Sequence, residues 1–355
     1  MFAACDPKPS ELDAPQDDRV DDMGEDIVPF VAPAVDQECS DAGPQSCCLG
    51  PHPSPQGTSA VLVDFDAPDR GTGIDELSGM TAAVFDDQIV GIVVVHDESN
   101  RVGVARLTDN GTTVVPNSVQ TFDVDLPRND LEGIVQISTG RNTMRFRVLF
   151  EDDHEQREFH TAVIEFPSTL DAAPTVVVPD EAFTAQLADG SAVEVHNGDK
   201  QGPESITVLN GVLHIGTQKG ERGFVCDEAT HVCTQVYEDD DNWEPQAYTG
   251  VDSLGLLYSV DPDRSAARAY DMNDGYSVSD TDGFTIAPTD NYEAIAYNHS
   301  CTIYFGEDGS GASGVVRVQA FFDDTTSCTP NVPDHFGFSA QPKCSAACGA
   351  ADNEC

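Results

Sequence analysis

The residues whose placement in this chain could do chemistry are carboxylates. Glu132 in LEGIVQIS, Glu204 in PESITVL and Glu293 in YEAIAY each open a short apolar run, and Asp252 in VDSLGLLYSV reads the same way. Asp97, Asp152, Glu307 and Asp308 follow the ends of the next apolar runs, where Glu98, Glu151, Asp153, Asp261 and Asp263 also fall. Antiparallel neighbouring strands place the start of one beside the end of the other. Topology alone therefore gathers these acids on one face. Carboxylates packed so densely raise one another's pKa unless a cation sits among them, and hard oxygen donors suit Ca²⁺ better than softer metals. Glu132, Glu204, Asp252, Glu293, Glu307, Asp308, Asp97 and Asp152 form the expected metal face, with Ca²⁺ as the expected ion. Taken singly, each residue would serve equally well as a polar strand cap or turn former.

Cations are scarce enough to be informative. Acidic residues number 63 against 17 basic, four of them lysine, for a formal net charge of −46. Such a field repels DNA, RNA and anionic membranes, so nucleic acid is not an expected partner. A surface adapted to high salt, where self-repulsion is screened, accounts for the same numbers. Lys200 stands just before PESITVL, and Lys219 and Arg222 follow VLHIGTQ. All three fall on the expected acidic face, where they would either bind an anion such as phosphate or decorate a solvated turn.

The elements that must carry these residues are strands. From about residue 57 to 329 the chain consists of short β-branched and aromatic runs broken by Asp, Gly, Asn and Pro, with almost no helical periodicity. The runs recur as a unit: an acid or serine, usually a small residue, an apolar strand, a turn, a second apolar strand and a polar end. Counted from Ser78, Glu132, Glu204, Asp252 and Glu293, the spacings are 54, 72, 48 and 41 residues. That period fits four-stranded propeller blades. The fold class is all-β, a β-propeller of five blades; six is the alternative count if the long second repeat hides another. The last copy has room for three strands, and AVLVDF at residues 60–65 is a spare strand ahead of the first. Pairing it with GVVRVQAFF at 314–322 would close the ring and remove its open edges.

The recurrent LEGI, PESI and YEAIAY, each followed by a strand such as TIYFGED, resemble the EGI-type and YIGEE-type elements of phytase-like β-propellers and their esterase-like relatives. The resemblance covers residues 75–325. It implies metal-ligand roles for Glu132, Glu204, Glu293, Glu307 and Asp308, with Lys219 and Arg222 as the nearest phosphate-binding side chains. The chain departs from that pattern at Ser78, where Glu is expected, and in lacking the family's fuller basic set. Shared architecture does not by itself carry activity. No GxSxG elbow, GxxxxGK[ST] loop or GxGxxG turn is present. HEQREFH at 154–160 is not HExxH, and the DMNDG and DTDG turns lack the spacing of a calcium loop.

Eleven cysteines, without paired CxxC spacings, point to disulfides in an oxidising compartment rather than to structural zinc. Cys226 and Cys233 flank a six-residue hairpin loop and are expected to pair. Cys301 opens the second strand of the last copy and Cys328 follows its third, which makes them the second expected pair. Phe2, Ala3, Ala4 and Cys5 resemble a bacterial lipobox, so Cys5 is the expected lipidation site, leaving ten cysteines for bridges. Residues 1–56, rich in Asp, Pro, Ser and Gln, read as an acidic tether; residues 330–355 read as a cysteine-rich tail. No run approaches 18 consecutive apolar residues, so no transmembrane segment is expected. Three functions fit: an extracytoplasmic propeller, secreted, periplasmic or lipid-anchored, that binds Ca²⁺ and an unknown ligand or surface partner; a Ca²⁺-dependent phosphoester hydrolase; or a structural surface protein of a salt-adapted bacterium.

Overall fold

The computed structural model describes residues 56–320 except 87, 109–110, 152–156, 196–201, 219–221, 240–245, 252–254, 262–265, 280–282, 287–291, 298–301 and 308–313, together with 328–329 and 343–344. The tether, most of the tail, and Cys5, Asp152, Lys200, Lys219, Asp252, Cys301 and Asp308 lie outside the described residues.

The described strands sort into five blades. β1 (Gln56–Asp64) precedes blade 1, which holds β2 (Leu77–Phe85), β3 (Gln88–His96) and β4 (Arg101–Thr108), with a fourth strand split into β5 (Thr113–Val114) and β6 (Gln120–Asp123). Blade 2 is β7 (Leu131–Thr139), β8 (Thr143–Phe150), β9 (Glu158–Pro167) and β10 (Thr175–Gln186). Blade 3 is β11 (Pro203–Leu209), β12 (Val212–Thr217), β13 (Arg222–Asp227) and β14 (Val232–Glu238). Blade 4 is β15 (Ala247–Val251), β16 (Leu256–Asp261) and β17 (Ala266–Asp271), with β18 (Ser277–Val278) and β19 (Phe284–Thr285) sharing the outer position. Blade 5 is β20 (Tyr292–Tyr297), β21 (Thr302–Glu307) and β22 (Val315–Ala320).

Sequence chemistry accounts for the local choices. The hairpin between β11 and β12 turns on Asn210 and Gly211, both left-handed at φ 49° and 76°, as a two-residue turn of mirror-image type requires. The innermost strands β2, β7, β11, β15 and β20 are neighbours in that cyclic order, with β20 returning to β2. Blade 5 lacks a fourth strand of its own and takes β1. Val61 lies opposite Arg317 and Asp64 opposite Val315 in an antiparallel ladder, the closure expected from AVLVDF. Apolar side chains from facing blades form five buried clusters, one at each blade interface.

Two features depart from the sequence reading. The long second repeat holds no sixth blade among the described residues. Its extra length goes into β10, which curls past its own blade and pairs in parallel with β14 through Thr184–Val232, Ala185–Cys233 and Gln186–Thr234. Blades 2 and 3 are thereby joined into one eight-stranded sheet. In blade 4 the innermost strand is AYTGV, so Val251 ends it rather than opening it. Asp252 follows that end in sequence, so its expected place at a strand start beside Glu132 and Glu204 is corrected; the residue itself lies outside the described ones.

The expected bridge between Cys226 and Cys233 is formed, joining register partners of β13 and β14. Cys328 lies in β23 (Cys328–Thr329), and its register partner is Cys344 in β24 (Lys343–Cys344). Among the described residues no helix is long and apolar enough to cross a membrane.

Candidate metal centre

At one end of the ring the ladder between the innermost strand and its neighbour slips at the same place in four blades. The slips fall between Leu77 and Gly79, Leu131 and Gly133, Pro203 and Ser205, and Tyr292 and Ala294. The residues left over are Ser78, Glu132, Glu204 and Glu293. A bulge frees one residue from the ladder and re-aims its side chain; here it does so at the one position that the repeat reserves for an acid or serine. The small residue after it has a matching role. A Cβ on Gly133 would stand 2.7 Å from Ile206 Cγ2, so glycine lets β7 and β11 close up and brings Glu132 to Glu204.

The ends of neighbouring strands deliver the other acids. Asp97 follows β3, with its N–H bonded to Glu76 O at 3.1 Å, and Glu151 follows β8, with its N–H bonded to Asp130 O at 3.0 Å. Oxygens of Asp97, Asp130 and Glu132 all lie within 4.8 Å of one another. Glu98 N–H donates to Asp97 Oδ1 at 2.7 Å and to Asp130 Oδ1 at 3.2 Å, and Gly202 N–H donates to Glu151 Oε1 at 2.8 Å. Backbone amides thus fix three of the carboxylates.

Their mutual repulsion appears as pKa shifts. Burial and the hydrogen-bonded Asp97 carboxylate push Asp130 up to about 7. Burial, then the charges of Glu204, Asp97, Glu151 and Asp130, drive Glu132 well above the usual carboxylate range. Glu204 rises through burial and the charges of Glu151, Glu293 and Asp97, partly offset by its hydrogen bond with Glu132. Carboxyl groups in this state are short of positive charge.

Of the expected metal residues, Asp97, Glu132 and Glu204 come together here, with Glu293 near enough to act on Glu204. Glu307 ends β21 as expected but accepts a hydrogen bond from the Arg317 guanidinium of its own blade. Ser78 donates to the Leu131 carbonyl and so locks blade 1 to blade 2 one residue before Glu132. Arg222 opens β13 at this end of its blade, bonded to Glu194 O at 3.0 Å and Glu238 Oε1 at 3.3 Å. Asp130 was not singled out from the sequence. It precedes an innermost strand without belonging to it, and a left-handed backbone at φ 70° sets its direction. Its only signal was the Asn-Asp turn ahead of LEGI.

No family model matches the chain, and no curated protein matches it. Solved structures are similar to it only at low identity. The luciferin-regenerating enzyme is 10% identical, with 74% of this chain and 95% of that one covered and a TM-score of 0.43. Myxococcus xanthus glutaminyl cyclase is 11% identical, with 75% and 97% covered and a TM-score of 0.43. A Bacteroides thetaiotaomicron protein of unknown function is 13% identical, with 75% and 73% covered and a TM-score of 0.44. Likeness at this level carries no argument about activity. The class rests on the blades themselves: a β-propeller with a carboxylate-lined mouth.

Proposed function

We propose that this chain is an extracytoplasmic Ca²⁺-binding propeller that presents its acidic mouth to a ligand or surface partner. The observation that supports the ion is the convergence of Asp97, Asp130 and Glu132 within 4.8 Å, with the charge of Glu204 near enough to raise Glu132 further. Flexible all-oxygen coordination by carboxylates is what Ca²⁺ accepts. When bound, the ion would supply the positive charge that these groups otherwise obtain only by holding protons. The Cys226–Cys233 bridge supports an oxidising compartment, and a lipid at Cys5 would tether the protein to a surface. Calcium titration of the metal-free protein at fixed ionic strength tests this reading: saturable, Ca²⁺-specific uptake is expected, and uptake no different from Na⁺ rejects it.

A second reading, phytase-like Ca²⁺-dependent phosphoester hydrolysis, draws support from the meeting of the LEGI and PESI glutamates that the resemblance implies. Bound metal would activate a water and neutralise charge developing on the phosphoryl group. Anion binding in that reading falls to Lys200, Lys219 and Arg222. Phosphatase assays with and without chelator decide it: chelator-sensitive turnover supports the hydrolase, and no turnover leaves the binding function alone.

A further inference from the structure

The outer strands of blades 2 and 3 meet through three residue pairs of β10 and β14, in parallel, the less stable kind of ladder. Beside this short seam lies the turn between β13 and β14, residues 228–231, closed at its base by the Cys226–Cys233 bridge. Glu228 in that turn accepts from Arg147 Nη2 at 2.8 Å, and His231 Nε2 lies 3.3 Å from Glu181 Oε1. Arg147 and Glu181 both belong to blade 2 and are bonded to each other. The His231 carbonyl accepts from Thr184 N–H at 2.9 Å, and the His231 ring lies 5.2 Å from that of Phe183. Every one of these contacts runs from the bridged turn of blade 3 to blade 2.

Blade 2 holds its half of the junction in place. The buried Arg147 also donates to Thr161 Oγ1 at 2.9 Å and sits 5.1 Å over the Phe183 ring, so the turn must come to the guanidinium. A buried cation depends on carboxylates kept in reach. The turn keeps them there at some cost, because His231 has a left-handed backbone at φ 54° that residues other than glycine seldom adopt. Asp227 braces it, accepting from Ala229 N–H at 2.8 Å and Thr230 N–H at 3.3 Å. Both cysteines are buried in the apolar cluster that also holds Phe183, Ala185 and Phe224. One covalent bond therefore sets the position of the turn and completes the core beneath the seam.

We propose that the Cys226–Cys233 bridge is a redox latch: with the two cysteines as thiols the turn leaves Arg147 and Glu181 and the seam between blades 2 and 3 opens, and oxidation fastens it. The oxidant is a disulfide. The thiolate of one cysteine attacks it and releases one thiol, and the thiolate of the other then attacks the mixed disulfide and releases the second. The two cysteine protons end on the released thiols, and the pair gives up two electrons to the oxidant. A chain carried through a reducing compartment keeps an open seam and closes it on reaching an oxidising one. None of the mouth carboxylates takes part, so the latch is independent of the calcium reading.

A bridge that merely restricts the unfolded chain stabilises the whole fold, whereas a latch protects the seam beyond that common effect. Hydrogen exchange of the full chain separates the two, with native protein set against Cys226→Ala/Cys233→Ala, which leaves the other cysteines untouched. Thr184 N–H, which crosses the seam, should speed up about tenfold more than the amides of β20 and β21, the scale of one lost charge-assisted hydrogen bond. Equal acceleration at Thr184 and in β20 and β21, or none at Thr184, overturns the proposal. If the double variant fails to fold, Glu228→Ala in the oxidised chain decides, because it keeps the bridge and removes the hold on Arg147. Faster exchange at Thr184 with β20 and β21 unchanged supports the latch, and unchanged exchange at Thr184 overturns it.

Discussion

Glu132 and Glu204 occupy the same place on the innermost strands of adjacent blades, each freed from its ladder by a bulge at the start of β7 and β11. Burial and neighbouring charges raise both carboxyl groups well above the ordinary carboxylate range, which favours a proton on the pair in the metal-free protein. A bound cation would take over that proton's role.

A pH dependence follows. The folded pKa of Asp130 is raised to about 7 from an ordinary 3.8, and those of Glu132 and Glu204 are also raised. The folded state therefore holds protons that the unfolded chain has lost. The stability this contributes is fully present below pH 4 and is lost as pH climbs through about 7. Thermal melts of metal-free protein should fall across that window, Asp130→Asn should flatten the fall, and Ca²⁺ should restore the melting temperature at its upper end. A melting temperature that rises from pH 4 to 7 without metal would contradict the assignment.

Gly79 lets the innermost strands of blades 1 and 2 approach closely because it has no side chain. A Cβ there would stand 2.7 Å from both Glu132 O and Gly133 Cα, and backbone cannot move aside cheaply. Gly79→Ala should destabilise by about 1–3 kcal/mol, as overpacking does, and weaken ion uptake by displacing Glu132. Urea melts and calcium titration of one variant check both.

Gln136 clamps the same interface from within. Its side chain accepts from Val84 N and donates to Val84 O, both at 2.7 Å, where a bulge between Ala83 and Val84 interrupts the β2–β3 ladder. Gln136→Ala leaves two buried backbone groups unpaired and should cost about 2–6 kcal/mol at roughly 1–3 per group. A change in urea midpoint smaller than that of a surface substitution would show the clamp to be dispensable.

Ring closure makes β1 indispensable. Val63 and Phe65 are buried at 5% and 0% exposure, and β1 covers the free edge of β22. Removing residues 1–55 should spare cooperative unfolding, whereas removing residues 1–67 should abolish it, as circular dichroism melts would show. The Cys226–Cys233 bridge closes a short loop, so Cys226→Ser with Cys233→Ser should cost about 2–3 kcal/mol.

Much of this was legible because a propeller repeats one rule. An acid at the start of an innermost strand and another after its neighbour must meet, whatever the blade, so Glu132, Glu204 and Asp97 could be placed from periodicity. Asp252 could not, because AYTGV, with Gly250 in it, is too short and too little apolar to announce itself as an innermost strand, and LLYSVD behind it took that place in the reading. Asp130 escaped for a different reason: a left-handed turn positions it, and strand alternation says nothing about turns. The parallel β10–β14 junction escaped as well, since TVVVPDEAFTAQ with Pro179 inside it looks like a strand end and not a bridge to the next blade.

The central claim is that the mouth holds Ca²⁺ and not merely a diffuse ion atmosphere. Its most direct test is the unfolding free energy of the metal-free chain after adding Ca²⁺, set against NaCl of matched ionic strength, because simple screening responds equally to both. At about 100 times its Kd, Ca²⁺ bound to the folded state alone should add roughly 2.7 kcal/mol beyond the NaCl control, and Glu132→Gln with Glu204→Gln should remove that increment and leave the common salt effect. Equal stabilisation by Ca²⁺ and matched NaCl would contradict the account.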